Sequence, residues 1–364
     1  MKNTIIALSV FIISSINIIS QDNDDTWLNP FWDFYSFNYL NTESAGRGFT
    51  GIASNNNISG ILMNPASVNL SSKYQVNLQY TYKTSNPWLK SIVPDVFIRH
   101  QLFSGSVGFG YRINKEMQTG FVYNNPTSLY FDLGTALGLN GQEFDYYNDV
   151  IYHSFNVPFV YGNKNFRLGI NLNYVYSRVT FPYNQDTNYH VTNNFFRAGA
   201  GFIFNINRNV SVGAKVQSGG RSEVSYDFPG IFYNQTPDNA VYPWKFGIGL
   251  QYKVPESLFK ILLDYNLTYH NVENLRERHD FHIGAEKGFS KNWFLRGGFF
   301  TILDYRNDNV NWVDPVGDYT QYFFTLGLGF KQNNFTADIA VLTSEISPGI
   351  IKTTYINGEL TFNF

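Results

Sequence analysis

Most of the chain from residue 74 onward alternates between apolar and polar positions. In one clear case Leu168, Ile170 and Leu172 alternate with Asn171 and Asn173. This period of two is typical of β-strands, because successive side chains of a strand point to opposite faces. The pattern predicts strands at about 74–83, 95–113, 117–132, 151–161, 166–177, 194–205, 210–218, 242–253, 258–269, 280–288, 293–302, 321–331, 335–342 and 354–364.

The connections between these strands alternate in length. Short turns rich in Gly, Asn, Ser and Pro, such as 162–165 and 332–334, alternate with long loops such as 84–94, 133–150 and 219–241. Short periplasmic turns and long extracellular loops characterise outer-membrane barrels. We therefore predict an all-β fold, a transmembrane antiparallel β-barrel of about 14 strands. Twelve or sixteen strands remain alternatives, since strand boundaries are fixed only to within a few residues.

The composition agrees with a barrel and limits the classes of partner and of covalent link that the chain can have. Charged residues make up 15% of the 364 residues, aromatic residues make up 18%, and the formal net charge is −2. Nothing in this charge favours a nucleic acid as a partner. Cysteine is absent, so the chain has no disulfide, no thiolate metal site and no cysteine for a lipid anchor.

The two ends of the chain carry targeting features. Residues 1–20 are typical of a secretory signal peptide, with Lys2 before an apolar core and cleavage expected after Ser20. The C-terminal strand places Phe362 and Phe364 on its apolar face. This resembles bacterial outer-membrane proteins, in which a terminal aromatic residue is the signal for the barrel assembly machinery. The resemblance implies a location in the outer membrane of a Gram-negative bacterium, in contact with its lipid.

Residues 21–73 do not alternate and contain a glycine cluster followed by Asn-Pro-Ala. This arrangement resembles the FadL family of outer-membrane transport proteins and its PorV/PorQ-type relatives, where such a segment folds back into the barrel as a hatch. We therefore predict three regions: a signal peptide (1–20), an N-terminal extension with a hatch (21–73) and the barrel (74–364). The predicted hatch motif consists of Ala45, Gly46, Gly48, Gly51, Asn64, Pro65 and Ala66. Independently of the resemblance, Asn64 and Pro65 also fit the start of a helix.

The third predicted strand contains features of a break in the wall. FadL proteins bend this strand inward and leave a lateral opening, and here the strand contains Gly120, Asn125 and Pro126. Proline within a strand removes a ladder hydrogen bond and marks a bulge or an edge. The alternative is that the strand ends at Asn124 and that Pro126 lies in the loop.

Inward positions carry charges of both signs. By strand parity they include Arg167, Arg197, Arg296, Glu286 and Asp338. The positive and negative charges on these inward positions nearly balance. This favours ion pairs that hold a plug in the lumen. Arg167 and Arg197 are also predicted contacts for a ligand carboxylate, with structural pairing as the alternative.

No motif favours an enzyme, a metal or a cofactor. Asp280 and His282 share one face, but no third ligand is suitably spaced. Two functions follow from the resemblance. The first is passive uptake of small hydrophobic or amphipathic molecules across the outer membrane. The second is a PorV/PorQ-like docking or shuttle barrel of the type IX secretion system, with a secretion-system protein as its partner.

Overall fold

A computed structural model describes residues 26–27, 41–83, 97–100, 105–137, 143–182, 188–227, 239–270, 275–305, 320–347 and 352–364. The signal-peptide prediction lies outside these residues. The strands are β1 (Thr26–Trp27), β2 (Tyr74–Lys83), β3 (Phe97–His100), β4 (Gly105–Arg112), β5 (Met117–Leu137), β6 (Glu143–Gly162), β7 (Phe166–Pro182), β8 (Asn188–Asn205), β9 (Val210–Gln217), β10 (Gly220–Tyr226), β11 (Asn239–Tyr242), β12 (Trp244–Lys253), β13 (Phe259–Tyr269), β14 (Arg278–Gly288), β15 (Trp293–Ile302), β16 (Gln321–Gln332), β17 (Phe335–Thr343) and β18 (Thr354–Asn363).

The strands form a closed antiparallel barrel of 14 strands, which confirms the predicted fold class. Each barrel strand pairs with its neighbour along the chain, and β18 pairs with β2 to close the ring. Three barrel strands are built from two pieces: β3 continues into β4, β9 into β10, and β11 into β12. The short strand β1 pairs in parallel with β11 at the end of the barrel that carries the long loops.

The apolar faces of the strands point outward. On β7, Leu168, Ile170 and Leu172 are exposed on the barrel surface, while Asn171 and Asn173 are buried inside. Exposed apolar side chains on the outer wall are what lipid requires. The last strand follows the same rule, because Phe364 is exposed on the outer face and Asn363 is buried.

One predicted loop is largely strand. Residues 133–150 were expected to form a loop, but β5 runs to Leu137 and β6 begins at Glu143. The sequence pattern does not mark these ends, because strict alternation is lost where aromatic residues are adjacent, as at Tyr130-Phe131 and Tyr146-Tyr147. The pairing of the two strands also shifts register between Asp132 and Thr135.

Residues 41–70 lie inside the barrel, and we call them the lumen segment. They comprise a short helix α1 (Thr42–Gly46) and two 3₁₀ helices, Ile58–Leu62 and Pro65–Ser67. Ile58, Ile61, Val68 and Leu70 of the segment pack with two valines of the wall in a buried apolar cluster. No helix among the described residues is long and apolar enough to cross a membrane.

Candidate functional site

The first turn of the lumen segment packs closely against β16, because glycine occupies both sides of the contact. Asn41 caps α1, since its side-chain oxygen accepts a hydrogen bond of 2.8 Å from the Ser44 N–H. A Cβ atom added at Gly46 would lie 2.9 Å from the Cα of Gly327, so neither position has room for a side chain. Gly48 follows with φ of 69°, a conformation that glycine adopts without strain. These contacts place α1 directly on the inner wall.

A buried ion network fixes the same turn to three strands. Arg296 on β15 lies 2.8 Å from Glu286 on β14 and 2.5 Å from Asp338 on β17. Arg47 of the lumen segment pairs with Glu43 at 2.5 Å and lies 3.5 Å from Glu286. Both arginines are almost fully buried. The inward charges seen in the sequence therefore form ion pairs with the segment and with one another.

Two further carboxylates hold the backbone of the lumen segment. Asp264 on β13 accepts hydrogen bonds from the N–H groups of Gly51 (2.7 Å) and Ile52 (3.0 Å). Glu359 on β18 accepts from the Thr42 N–H at 2.6 Å and from the side chain of Asn57. Hydrogen bonds to an ionised group are stronger than neutral ones. The segment is thus attached to two strands that lie five positions apart in the barrel.

Asn64 joins the lumen segment to a third part of the wall. Its side-chain oxygen accepts from the Ala66 N–H at 2.9 Å and caps the second 3₁₀ helix, with Pro65 in its first turn. Its amide nitrogen donates to the carbonyls of Ile52 (2.7 Å), Phe202 (3.1 Å) and Ala214 (3.3 Å). The helix start predicted from Asn-Pro is therefore confirmed, and Asn64 also ties that helix to β8 and β9.

Replacing Asn64 with alanine is expected to cost about 1–3 kcal/mol, because it removes a cap and leaves buried carbonyls without a donor. The measurement is the thermal unfolding midpoint of the purified barrel in detergent. Asn69→Ala is the matched control, since Asn69 is exposed on the same segment. Equal midpoints for the two variants would contradict the role given to Asn64.

A cavity of about 410 Å³ lies on the long-loop side of the lumen segment. Its floor comes from the segment and is apolar except for Asn41; the apolar residues are Phe49, Ile61, Leu62, Met63 and Pro65. Its walls come from β5 to β15 and are mainly polar. The cavity therefore offers an apolar surface on one side and hydrogen-bonding groups on the others.

Amide side chains connect across the wall of the cavity. The Asn156 amide donates to Asn124 at 2.9 Å, and the amides of Asn171 and Asn173 donate to Asn156 at 2.9 and 3.0 Å. Arg197 continues this chain by donating to Asn173 at 3.1 Å. This chain of side-chain hydrogen bonds is neutral except for Arg197, the charged group at its end.

The charge on the cavity wall is mainly basic. Arg197, Lys215, Lys245 and Arg278 line it, and Asp280 is the only carboxylate among its described lining residues. Asp280 is already paired with Arg278 at 2.8 Å. An anion is therefore the charged species that this wall favours.

The structure separates the two predicted ligand contacts. Arg197 lines the cavity, where it also donates to the Tyr152 hydroxyl at 3.1 Å. Arg167 does not line the cavity, because its guanidinium donates to the Val68 carbonyl at 3.2 Å and to Asn55. Arg167 therefore supports the lumen segment rather than the cavity.

The predicted break at Pro126 falls where pairing is interrupted on both sides of β5. Toward β6, the register shifts by one residue between Asn124 and Thr127. Toward the preceding strand, pairing of β4 ends at Gly105–Asn125 and pairing of β3 begins at His100–Leu129. β5 itself runs on through this position, which excludes the alternative that the strand ends at Asn124.

Gly120 lies where the lumen segment and the neighbouring strand approach β5. A Cβ atom there would lie 2.3 Å from the Phe109 carbonyl oxygen and 2.7 Å from Ile58, so this glycine allows both to pack closely.

Asp280 and His282 each have a partner in the structure, and Asp280 pairs with Arg278. His282 hydrogen-bonds the Gly48 carbonyl at 2.9 Å, and no group of three potential metal ligands occurs among the residues that the structure describes.

Comparisons with known proteins identify the fold. No family model and no curated protein sequence matches the chain. Solved structures do: a FadL homologue of Pseudomonas aeruginosa matches at 11% identity with a TM-score of 0.60, over 89% of this chain and 98% of that one. The toluene transporter TodX of Pseudomonas putida matches at 12% identity with a TM-score of 0.59, over 88% of this chain and 97% of that one.

A third match is the monoaromatic hydrocarbon channel CymD, at 12% identity and a TM-score of 0.59 over 89% of this chain and 97% of that one. These matches extend over almost the whole barrel, so the chain has a FadL-like fold. At such low identity the likeness concerns the fold, which fits a location in the outer membrane.

Proposed function

We propose that the protein mediates passive uptake of small hydrophobic or amphipathic molecules across the outer membrane. The observation that carries this proposal is the cavity, with an apolar floor from Phe49, Ile61, Leu62 and Met63 and a polar, basic wall. Sites for small molecules combine apolar surface with a few placed polar groups. The structures with the same fold include a toluene transporter and a hydrocarbon channel, which supports the same class of cargo.

The lumen segment acts as the hatch in this proposal. It forms the floor of the cavity, so a ligand that binds there rests on the residues that close the lumen. Passage requires either displacement of this floor or an exit through the wall. In this proposal the interruption around Asn125 and Pro126 serves as the lateral gap predicted from the sequence. Its position beside Asn124, which lines the cavity, supports this role.

The test is uptake in cells that lack their own channels of this fold. Labelled toluene and labelled decanoate serve as neutral and anionic probes. We expect cells that produce the protein to accumulate both probes several-fold faster than cells with an empty vector. If producing cells, with the barrel folded in their outer membrane, took up each probe no faster than empty-vector cells, the proposal would be refuted.

Arg197→Met is expected to slow decanoate uptake about tenfold at low concentration, since a hydrogen bond to a charged group contributes about 1.5–3 kcal/mol. Toluene uptake should change little, because toluene has no group that pairs with a guanidinium. Arg208→Met, in an exposed turn, is the control. An equal loss for both probes would show that Arg197 maintains the shape of the cavity and does not select anions.

The secretion-partner function remains the alternative prediction. It would require a surface for a protein on the long loops, and the comparisons give it no support. Loss of secreted cargo on deletion of the gene, with uptake of both probes unchanged, would favour that alternative.

A further inference from the structure

Basic side chains surround the end of the barrel that carries the short turns. The 14 barrel strands meet in pairs at this end, at six short turns and at the seam between β18 and β2. Each of these seven places carries at least one exposed basic side chain, and we call this set the basic rim. Its members are Lys73, Lys115, Lys164, Arg208, Lys253, Lys287, Lys291 and Lys331. The basic rim therefore follows the whole circumference of the barrel.

Little negative charge opposes the basic rim. The exposed acidic side chains at these turns are Glu116 and Glu256, and the C-terminal carboxylate of Phe364 lies at the seam. Within the described parts of the chain, no ion pair connects a residue of the basic rim to a carboxylate. Neighbouring turns are two strands apart, so their basic residues are about 10 Å from one another. Charges at this spacing are only partly screened from each other by salt, and they attract an anionic surface together.

The opposite end of the barrel has the opposite charge. The exposed basic side chains among the described residues of the long-loop end are Arg221 and Arg276. The exposed acidic side chains there are Glu143, Glu223, Asp227, Glu277 and Glu345. The formal net charge of −2 for the whole chain therefore conceals a barrel with one basic and one acidic end. A partner that recognises this asymmetry must be anionic and must lie on the short-turn side.

Exposed aromatic rings place the basic rim at the edge of the lipid. Five such rings on the outer face each lie within four residues of a member of the basic rim. They are Tyr74, Phe166, Phe204, Tyr252 and Trp293. In outer-membrane barrels such rings form girdles at the two membrane interfaces. The basic rim lies just beyond the girdle of the short-turn end, at the level of the lipid head groups.

Lys73 lies close to the lipid-facing surface. Its ammonium nitrogen is 5.5 Å from the centre of the Tyr74 ring. Tyr74 in turn stacks on Tyr111 of the next strand, with ring centroids 5.4 Å apart. A cation above an aromatic ring is attracted by the negative face of that ring. The Lys73 ammonium is therefore held at the outer wall of the barrel, beside the membrane.

We propose that the basic rim binds the phosphate groups of anionic phospholipids in the inner leaflet of the outer membrane. Phosphatidylglycerol and cardiolipin carry the net negative charge that clusters of lysine and arginine beside a membrane favour. The complete ring and its aromatic neighbours favour lipid over a soluble acidic protein, which would contact one sector of the barrel. The cavity lies on the long-loop side of the lumen segment, so lipid binding at the basic rim is independent of the proposed uptake function.

Tryptophan fluorescence in lipid vesicles tests the proposal. Trp293 is exposed two residues from Lys291, whereas Trp244 is exposed at the long-loop end of β12. The chain has six tryptophans, so one reporter protein keeps Trp293 alone, another keeps Trp244 alone, and phenylalanine replaces the rest. Brominated phosphatidylglycerol or brominated phosphatidylcholine, diluted in phosphatidylcholine vesicles, quenches a tryptophan that it contacts. We expect half-maximal quenching of Trp293 at a several-fold lower fraction of the brominated phosphatidylglycerol, and no such preference at Trp244.

Removal of the charges should abolish this preference. Each cation contributes a small share, so the test variant replaces several together: K73Q/K115Q/K164Q/K253Q/K291Q/K331Q. The matched control is K73R/K115R/K164R/K253R/K291R/K331R, which keeps the charges and should keep the preference at Trp293. A second measurement needs no change in the basic rim: salt at about 1 M shortens the screening length to about 3 Å and should weaken the preference several-fold.

The outcomes decide between lipid and other partners. A preference at Trp293 that the arginine variant keeps and the glutamine variant loses supports lipid binding. Equal quenching of Trp293 by the two brominated lipids would overturn the proposal in favour of a soluble acidic partner. A preference that survives both the glutamine substitutions and high salt would show that the charges do not attract the lipid, and would overturn the proposal as well.

Discussion

Arg296→Ala is expected to destabilise the protein by about 3–5 kcal/mol, the usual cost of removing one partner from a buried ion pair. Arg296 is 4% exposed and faces Glu286 and Asp338 at hydrogen-bonding distance. Without it, two buried carboxylates lose their counter-ion on that side. Part of the effect should appear as release of the lumen segment, because Glu286 also pairs with Arg47.

Two measurements check this expectation. One is the temperature at which the folded barrel loses its compact mobility on an unheated gel, and the other is the rate of protease cleavage within residues 41–70. Lys287→Ala is the control, since Lys287 is exposed on β14 and its ammonium donates to the Ser257 hydroxyl at 3.3 Å. Restored stability in R296A/D338A relative to R296A would show that the unpaired carboxylate causes the loss. Identical behaviour of R296A and K287A would contradict the role of the network.

Deleting residues 41–67 is expected to turn a closed barrel into an open pore. The lumen segment hydrogen-bonds to wall residues as far apart as Gln75 on β2, Asp264 on β13 and Thr325 on β16. It therefore crosses the lumen, and its removal leaves the polar inner faces of the strands around water. In planar bilayers the deletion variant should show large, stable conductance steps that the intact protein lacks.

Asn64→Ala is the graded comparison for this experiment. It loosens one attachment of the lumen segment and leaves the others, so we expect brief openings rather than a permanent pore. A folded deletion variant that does not conduct would show that something other than the lumen segment closes the barrel.

The barrel could be predicted from sequence because each membrane strand repeats the same constraint. Lipid outside and polar groups inside impose a period of two, as in Leu168 to Asn173, and the short turns then fix the connections. The prediction was wrong for 133–150, where β5 and β6 continue although the strict alternation is lost. Strand parity likewise placed Glu286, Arg296 and Asp338 inside.

The cavity could not be predicted in the same way. Strand parity assigned Arg167 and Arg197 to the same inner surface, but it does not give the level along the barrel axis at which the lumen segment crosses. Because of that level, Arg167 binds the Val68 carbonyl while Arg197 faces the cavity. The register shift along β8 between Asn193 and Gly199 likewise leaves no mark on the alternation of that strand.

The position of Glu359 has a consequence for how the protein is assembled. Its carboxylate lies on β18, at the seam where the last strand meets the first, and it also binds Asn77 of β2 at 2.7 Å and Thr42 of the lumen segment. A buried carboxylate without these donors is costly. The seam is therefore most stable when the lumen segment is inside the barrel. Pairing of the final strand with the first is thus coupled to insertion of the lumen segment. An assembly intermediate halted before closure should still expose residues 41–70 to protease.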